Sequence, residues 1–119
     1  RTRLYEQLKR AKVMMVTCPT AWIDTRRSNM ISLSHNSMTP VDEMIPAGVT
    51  VALGTDNVCD AMVPWCSGDM WHELQLLATG CRFDDFENLV KIASVNGRKV
   101  LGLDPYDSET APVTANKKE

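Results

Sequence analysis

The chain has 119 residues, of which 44% are hydrophobic, and its formal net charge is −2. These values fit one globular domain, give no electrostatic case for a nucleic acid partner and argue against a phosphate-binding role. No apolar stretch reaches the roughly 18 residues that a membrane helix needs, and no signal-peptide core follows the charged start, so we expect a cytoplasmic protein without a membrane partner.

The first part of the chain predicts a helix followed by a strand. Residues 1–11 place apolar side chains at helical spacing between charges, and the continuous apolar run VMMVTC at residues 13–18 predicts a short buried strand. Residues 19–38 have no clear period and are rich in Ser, Asn, Thr and Arg. We therefore predict a long loop there, of a kind that is uncommon unless it is functional.

A second helix and a second strand follow this loop. Thr39 and Pro40 supply an N-cap and a proline at the first helical position, and Gly48 supplies a C-terminal stop, so a short helix is predicted between them. The β-branched, apolar stretch VTVAL at residues 49–53 is too short for a helix and predicts a second buried strand. Two buried strands joined through a helix predict a βαβ unit.

The C-terminal half has the pattern of consecutive helices. Asp69 is placed to cap one amphipathic helix, and Asp84 or Asp85 to open another. A further helical turn is expected to stop at Gly102. Residues 104–119 contain proline, small polar residues and charges without an apolar period, so they predict a loose tail.

A sheet of only two buried parallel strands is incomplete. Such strands occur in sheets covered on both faces, and two strands alone leave an unpaired edge on each side. Three explanations stay open. Further strands come from residues outside this sequence, copies of the chain pair their edges in a homo-oligomer, or the helices alone complete the fold.

The second strand ends in the sequence GTDN, which places Asp56 just beyond it. In parallel α/β folds the chemistry lies beyond the carboxyl ends of the strands, and a carboxylate there can bind a metal ion or accept a proton. The alternative is a turn residue that hydrogen-bonds its own loop, because Thr-Asp-Asn is ordinary turn chemistry.

The cysteines predict no competing site. The four cysteines lack the paired C-x-x-C spacing of a structural zinc site, and we expect them to be reduced thiols. Cys18 follows the first strand and is predicted to pack as a small hydrophobic residue, because the sequence places no histidine beside it to activate the thiol.

Several segments resemble a known family. The runs PAGVTVALGTDN, GDMWHELQLLA and IASVNGRKVLGL are similar to the last barrel strand and closing helices of the amidohydrolase superfamily. The run VMMVTCPTAWIDTRR, with its spacing to GTDN, most closely resembles the cytosine deaminase-like branch. The resemblance covers residues 1–103 and implies the C-terminal part of an α/β fold, a (β/α)8 TIM-type barrel, from the sixth helix to the final helices.

The resemblance implies a metal-dependent hydrolase of carbon–nitrogen bonds other than peptide bonds, with a cyclic amidine or pyrimidine-type small molecule as the substrate to be deaminated. Asp56 matches the aspartate that binds the divalent metal ion, which is zinc, iron or manganese, and that relays protons for a metal-activated water. Asn57 stands where the branch usually has another acidic residue. With His35 and Trp22, it is a candidate for substrate binding.

The family also implies ligands that this sequence lacks. A His-x-His pair and further histidines hold the family's metal ion, whereas this chain has only His35 and His72. Because three or four protein ligands are usual, we expect the chain alone to bind metal weakly or not at all and to be inactive without the remainder of a longer chain. The alternative is a truncated, non-catalytic α/β module that oligomerises through its exposed sheet edges.

Overall fold

The computed structural model describes residues 1–24 and 38–103, which form a mixed α/β structure. Its elements in chain order are α1 (Thr2–Arg10), β1 (Met15–Thr17), α2 (Pro19–Asp24), α3 (Val41–Met44), β2 (Val51–Leu53), α4 (Met70–Cys81), α5 (Phe86–Ala93) and α6 (Val95–Val100). No helix in this part of the chain is long and apolar enough to cross a membrane. The tail predicted for residues 104–119 lies outside the described residues.

The two strands pair in parallel, which confirms the βαβ unit predicted from the two apolar runs. Met15 lies opposite Val51 in the register. The Met15 N–H donates to the Thr50 carbonyl, and the Gly54 N–H donates to the Thr17 carbonyl, both at 2.9 Å. Because alternate residues of β2 bond to β1, the backbone polar groups of Val51 face the outer edge of β2.

The two faces of the sheet differ, because successive side chains of a strand point to opposite sides. On one face, β2 contributes to the main core, which consists of Tyr5, Val41, Met44, Val49, Val51, Leu53, Leu77, Leu89 and Ile92. On the other face, a Cβ added at Gly54 would lie 2.7 Å from the Cγ1 atom of Val16. Val16 is 49% exposed, so this second face is open at β1, and the prediction of a buried first strand was wrong for this residue.

Helix α2 occupies residues for which the sequence predicted a loop, and that prediction was wrong for Pro19–Asp24. Pro19 begins the helix at the position where a missing N–H is tolerated. The Thr20 N–H donates to the carboxylate of Glu73 in α4 at 2.9 Å. This contact joins residues 53 positions apart, so the local sequence pattern around Thr20 could not predict it. Residues 25–37 of the predicted loop lie outside the described residues.

Helix α3 begins one residue later than the sequence predicted. Its N-cap residue is Pro40, and no side chain caps its first turn. The hydroxyl of Thr39 instead accepts a hydrogen bond from the hydroxyl of Thr17 in β1, at 2.9 Å. A side chain expected to cap the helix therefore connects the start of that helix to the sheet. At the other end the helix stops at Met44, with Ile45 as its C-cap, so the stop predicted at Gly48 was wrong. Gly48, with a φ of 81°, lies in the turn that leads on to β2.

The predicted caps of the two long C-terminal helices are confirmed. Asp69 accepts a hydrogen bond from the Trp71 N–H at 2.9 Å, and Asp85 accepts one from the Asn88 N–H at 3.1 Å. These bonds satisfy backbone donors that the first turn of a helix leaves unpaired. The last helix, α6, is followed by Gly102 with a φ of 69°, as predicted for its stop.

The main core predicts a strong effect of truncating Leu77, which is 0% exposed. Leu77→Ala removes apolar contacts and leaves a cavity, so the free energy of unfolding should fall by about 2–5 kcal/mol. Leu101 is 74% exposed, and Leu101→Ala should change this free energy by about 0.5 kcal/mol or less. Urea denaturation measures both variants, and equal small losses would contradict the position of Leu77 in the core.

Candidate functional site

Residues that follow the carboxyl ends of the two strands lie together at one edge of the sheet. Asp56 follows β2 in the predicted turn, with a φ of 59° in the left-handed region that Asp tolerates better than most residues. Cys18 follows β1 and lies beside the Asp56 turn. Burial raises the pKa of the Cys18 thiol, and the negative charge of Asp56 raises it further. Cys18 is therefore a packed thiol, as its sequence context predicted.

The Asp56 side chain is exposed and accepts no hydrogen bond from the described part of the chain. Its neighbour Asn57 is exposed as well, and the Asn57 amide donates to the carboxylate of Asp60. Asp60 also accepts from the N–H groups of Met62 and Val63, both at 2.8 Å, and these backbone bonds lower its pKa. Asp60 thus organises the loop, whereas the Asp56 carboxylate remains available to a ligand.

Gly54 allows the two strand ends to approach each other closely. A Cβ at this position would lie 2.7 Å from the Cγ1 atom of Val16 and 3.2 Å from the sulfur of Cys18. The first of these distances is shorter than ordinary van der Waals contact, so any side chain at this position would force the Val16 side chain to shift. The glycine in GTDN therefore sets the distance between Cys18 and the turn that carries Asp56.

A second carboxylate, Glu73, lies near this edge and was missed by the sequence analysis. It is 1% exposed, and it accepts a hydrogen bond from the Thr20 N–H at 2.9 Å. The Cys66 thiol approaches its other oxygen at 3.6 Å. Glu73 follows Met70 by three positions and precedes Leu77 by four, and this place on the apolar face of α4 is the signal that reveals its burial.

Of the other two candidate substrate residues, the structure describes Trp22 but not His35. Trp22 lies in α2 rather than in a loop, and it packs, partly buried, against the main core. His35 lies outside the described residues. His72, the second histidine of the chain, is exposed on α4. The part of the site that the structure describes therefore consists of the Asp56 turn and its packed neighbours.

The described residues do not by themselves fit a divalent metal ion. Across residues 1–24 and 38–103, no group of three or more His, Cys, Asp and Glu side chains is arranged to hold one. Glu73 is committed to the Thr20 N–H, and Asp60 to its own loop. Protein metal sites usually need three or four ligands, so Asp56 can supply one ligand or accept a proton, but cannot form a site alone.

The fold is a mixed α/β structure with a parallel strand pair, and a solved structure shares it. This is the crystal structure of 5-methylcytosine deaminase from Klebsiella pneumoniae liganded with 5-fluorocytosine. The similarity has a TM-score of 0.70 and 23% sequence identity, and it covers 84% of this chain and 25% of that chain. The chain thus spans about a quarter of the deaminase's length, and at this identity the likeness shows the fold alone.

Two proteins of Haemophilus influenzae, both described as uncharacterized, are similar in sequence. The first is 65% identical over 43 residues, which cover 36% of this chain and 96% of that protein. The second is 52% identical over 46 residues, which cover 39% of this chain and 17% of that protein. No family model matches. The chain belongs to the same family as the first of these proteins, whose length it covers almost completely.

Replacing glycine by alanine should have opposite effects on stability at crowded Gly54 and at uncrowded Gly97. Gly54→Ala should lower the free energy of unfolding by about 1–3 kcal/mol, because the added methyl group overlaps the Val16 side chain and crowds the Cys18 sulfur. Gly97 lies inside α6 with nothing within 4 Å of an added Cβ, so Gly97→Ala should raise this free energy by about 0.5–1 kcal/mol. Urea denaturation distinguishes the two, and a stabilising effect at Gly54 would refute the close strand approach.

Glu73 is predicted to anchor α2. Glu73→Ala leaves the buried Thr20 N–H without an acceptor, so the free energy of unfolding should fall by about 1–3 kcal/mol. Amide hydrogen exchange in α2 should accelerate as well, because the start of that helix is released. Glu87→Ala is the matched control, since Glu87 pairs with Lys91 on the exposed face of α5. Loss of this ion pair should lower the free energy of unfolding by about 0.5 kcal/mol or less. Unchanged exchange in α2 would exclude the anchoring role.

Proposed function

We propose that the chain is the C-terminal part of a metal-dependent (β/α)8 hydrolase that acts on carbon–nitrogen bonds other than peptide bonds. The position of Asp56 carries this proposal. It is an exposed carboxylate in a turn just beyond a buried parallel strand, at the sheet edge where parallel α/β folds have their chemistry. The fold likeness to the deaminase and the motifs around GTDN support the same assignment.

The open sheet supports a larger structure of the same kind. The helices cover one face of β2, while Val16 on the opposite face of the sheet is half exposed. In a closed barrel that second face lines the interior, and the outer edge of each strand pairs with another strand. We propose that the remainder of a longer chain supplies these strands, together with the metal ligands that the described residues lack.

In the complete protein, Asp56 has two roles in this proposal. It would be one ligand of a divalent ion (zinc, iron or manganese), and its carboxylate would accept a proton from water and give it to the departing nitrogen. The ion itself supplies Lewis acidity and lowers the pKa of bound water. Asn57, His35 and Trp22 are the proposed substrate contacts, for a small cyclic amidine or pyrimidine in the cytoplasm.

The test uses the natural gene product. Its intact mass and metal content are measured, and its release of ammonia is assayed with cytosine and with 5-methylcytosine as substrates. We expect a longer polypeptide with about one metal ion per active site. Asp56→Ala should lower kcat/KM by about a thousandfold or more, because ligand and proton relay are lost together. Asp84→Ala removes an exposed carboxylate ahead of α5 and should leave turnover unchanged. Full activity in the Asp56 variant would refute the proposal.

A second candidate is a non-catalytic α/β module that assembles through its sheet edges. The almost complete match of a short Haemophilus influenzae protein favours it, because a short family member has no room for a whole barrel. The outer edge of β1 is the surface available for pairing. On β2, the amide of Asn96 in α6 already donates to the Val51 carbonyl at 2.7 Å. A metal-free oligomer of the 119-residue chain in sedimentation experiments would favour this candidate.

A further inference from the structure

A pocket of about 320 Å³ lies at the edge of the sheet opposite to Asp56. Its walls come from the end of α1, the residues just ahead of both strands, and α6. The polar lining consists of Lys9, Lys12, Lys99, Thr50 and Gly48. We propose that this pocket binds the phosphate group of a small molecule. The proposal is independent of the hydrolase assignment, because no residue of the Asp56 turn contributes to the pocket.

The charge of the pocket is the first argument. Within residues 1–24 and 38–103, three lysines and no acidic side chain line the pocket, and none of the three ammonium groups forms an ion pair. Lys99 donates to the Thr50 hydroxyl at 3.2 Å, which holds its ammonium group at the pocket wall. The net charge of −2 argued against phosphate binding, but that sum over the whole chain does not show a local cluster of positive charge.

The local backbone is the second argument. Lys12 follows the C-cap of α1 and has a φ of 53°, in the left-handed region in which helices commonly end and which glycine adopts at lower cost. A Cβ at Gly48 would lie 3.0 Å from the Lys9 ammonium nitrogen, so a side chain there would displace that group. Lys12 thus occupies a position that favours glycine, and Gly48 leaves space for the ammonium group of Lys9.

Stabilisation of helix ends does not explain the whole cluster. Lys9 and Lys99 lie in the last turns of α1 and α6, where positive charges interact favourably with the helix dipole. Arg10 lies in the same last turn of α1 but does not line the pocket. Lys12 directly follows the C-cap residue of α1, and its N–H donates to the Lys9 carbonyl at 3.1 Å. The cavity thus brings two lysines from the end of α1 together with Lys99 from a distant segment, and an anionic ligand accounts for this clustering.

The chemistry of the lining indicates the ligand class. Lysine binds phosphate as a compact charge, and three lysines match the two or three negative charges of a phosphate or pyrophosphate group. The volume is at the lower end of the roughly 300–1,000 Å³ range of small-molecule pockets, so an organic part of sugar size fits beside the phosphate. Among the described residues no aromatic ring lines the pocket, which favours a sugar phosphate over a nucleotide base.

Calorimetric titration of the full chain with inorganic pyrophosphate and with ribose 5-phosphate, at low salt, tests the proposal. We expect one saturable site that weakens as salt rises. Lys9→Gln should raise the dissociation constant about tenfold. Arg10→Gln is the matched control, since it removes one positive charge from the same helical turn, and it should change the constant by about twofold or less. Equal losses in both variants, or no saturable binding, would overturn the proposal.

Lys12→Gly provides a second test in which the folded state is not weakened. Without anion, its melting temperature should rise, because glycine accepts the left-handed backbone. Pyrophosphate should then raise the melting temperature less than in the unmodified chain, because one ammonium group is missing. Equal anion stabilisation of the two proteins would also overturn the proposal. Tighter binding of ribose 5-phosphate than of pyrophosphate identifies an organic phosphate, and the reverse order identifies the inorganic anion.

Discussion

The parallel pairing of β1 with β2 is the constraint on which both proposed sites depend. Parallel strands bring their carboxyl ends to one edge and their amino ends to the other. Cys18 and Asp56 therefore meet beyond one edge, although 38 positions separate them in the chain. The same register brings the end of α1 and Thr50 together at the opposite edge. An antiparallel pair would separate the members of each group, so neither site would exist.

Burial distinguishes the two carboxylates near the carboxyl edge. Glu73 is inside the protein, where a carboxylate is tolerated only with hydrogen-bond donors, and its bond to the Thr20 N–H meets that requirement. Asp56 is outside and keeps its hydration. An ion or substrate can replace water around Asp56 without breaking an internal bond, whereas binding to Glu73 would release α2. The buried residue is therefore structural, and the exposed residue is the candidate for chemistry.

The predictable parts of the fold were those encoded by neighbouring residues. Short apolar runs located both strands, and Asp69 and Asp85 located two helix starts, because a cap acts within its own turn. Helix α2 was missed because Glu73, from a distant segment, satisfies its first turn. For the site, the sequence located the turn of Asp56 beyond a strand, but the lysine pocket draws on three separate segments that only the folded chain brings together.

The two edges of the sheet act as separate electrostatic environments. Each strand has three residues, so about 10 Å of backbone separates the acidic turn of Asp56 from the lysines at the other edge. This separation is comparable to the Debye length of ~8–10 Å at physiological ionic strength. Attraction between the edges is therefore weak in solution. A cation at the carboxyl edge and an anion at the amino edge can bind at the same time, and a substitution at one edge should leave affinity at the other unchanged.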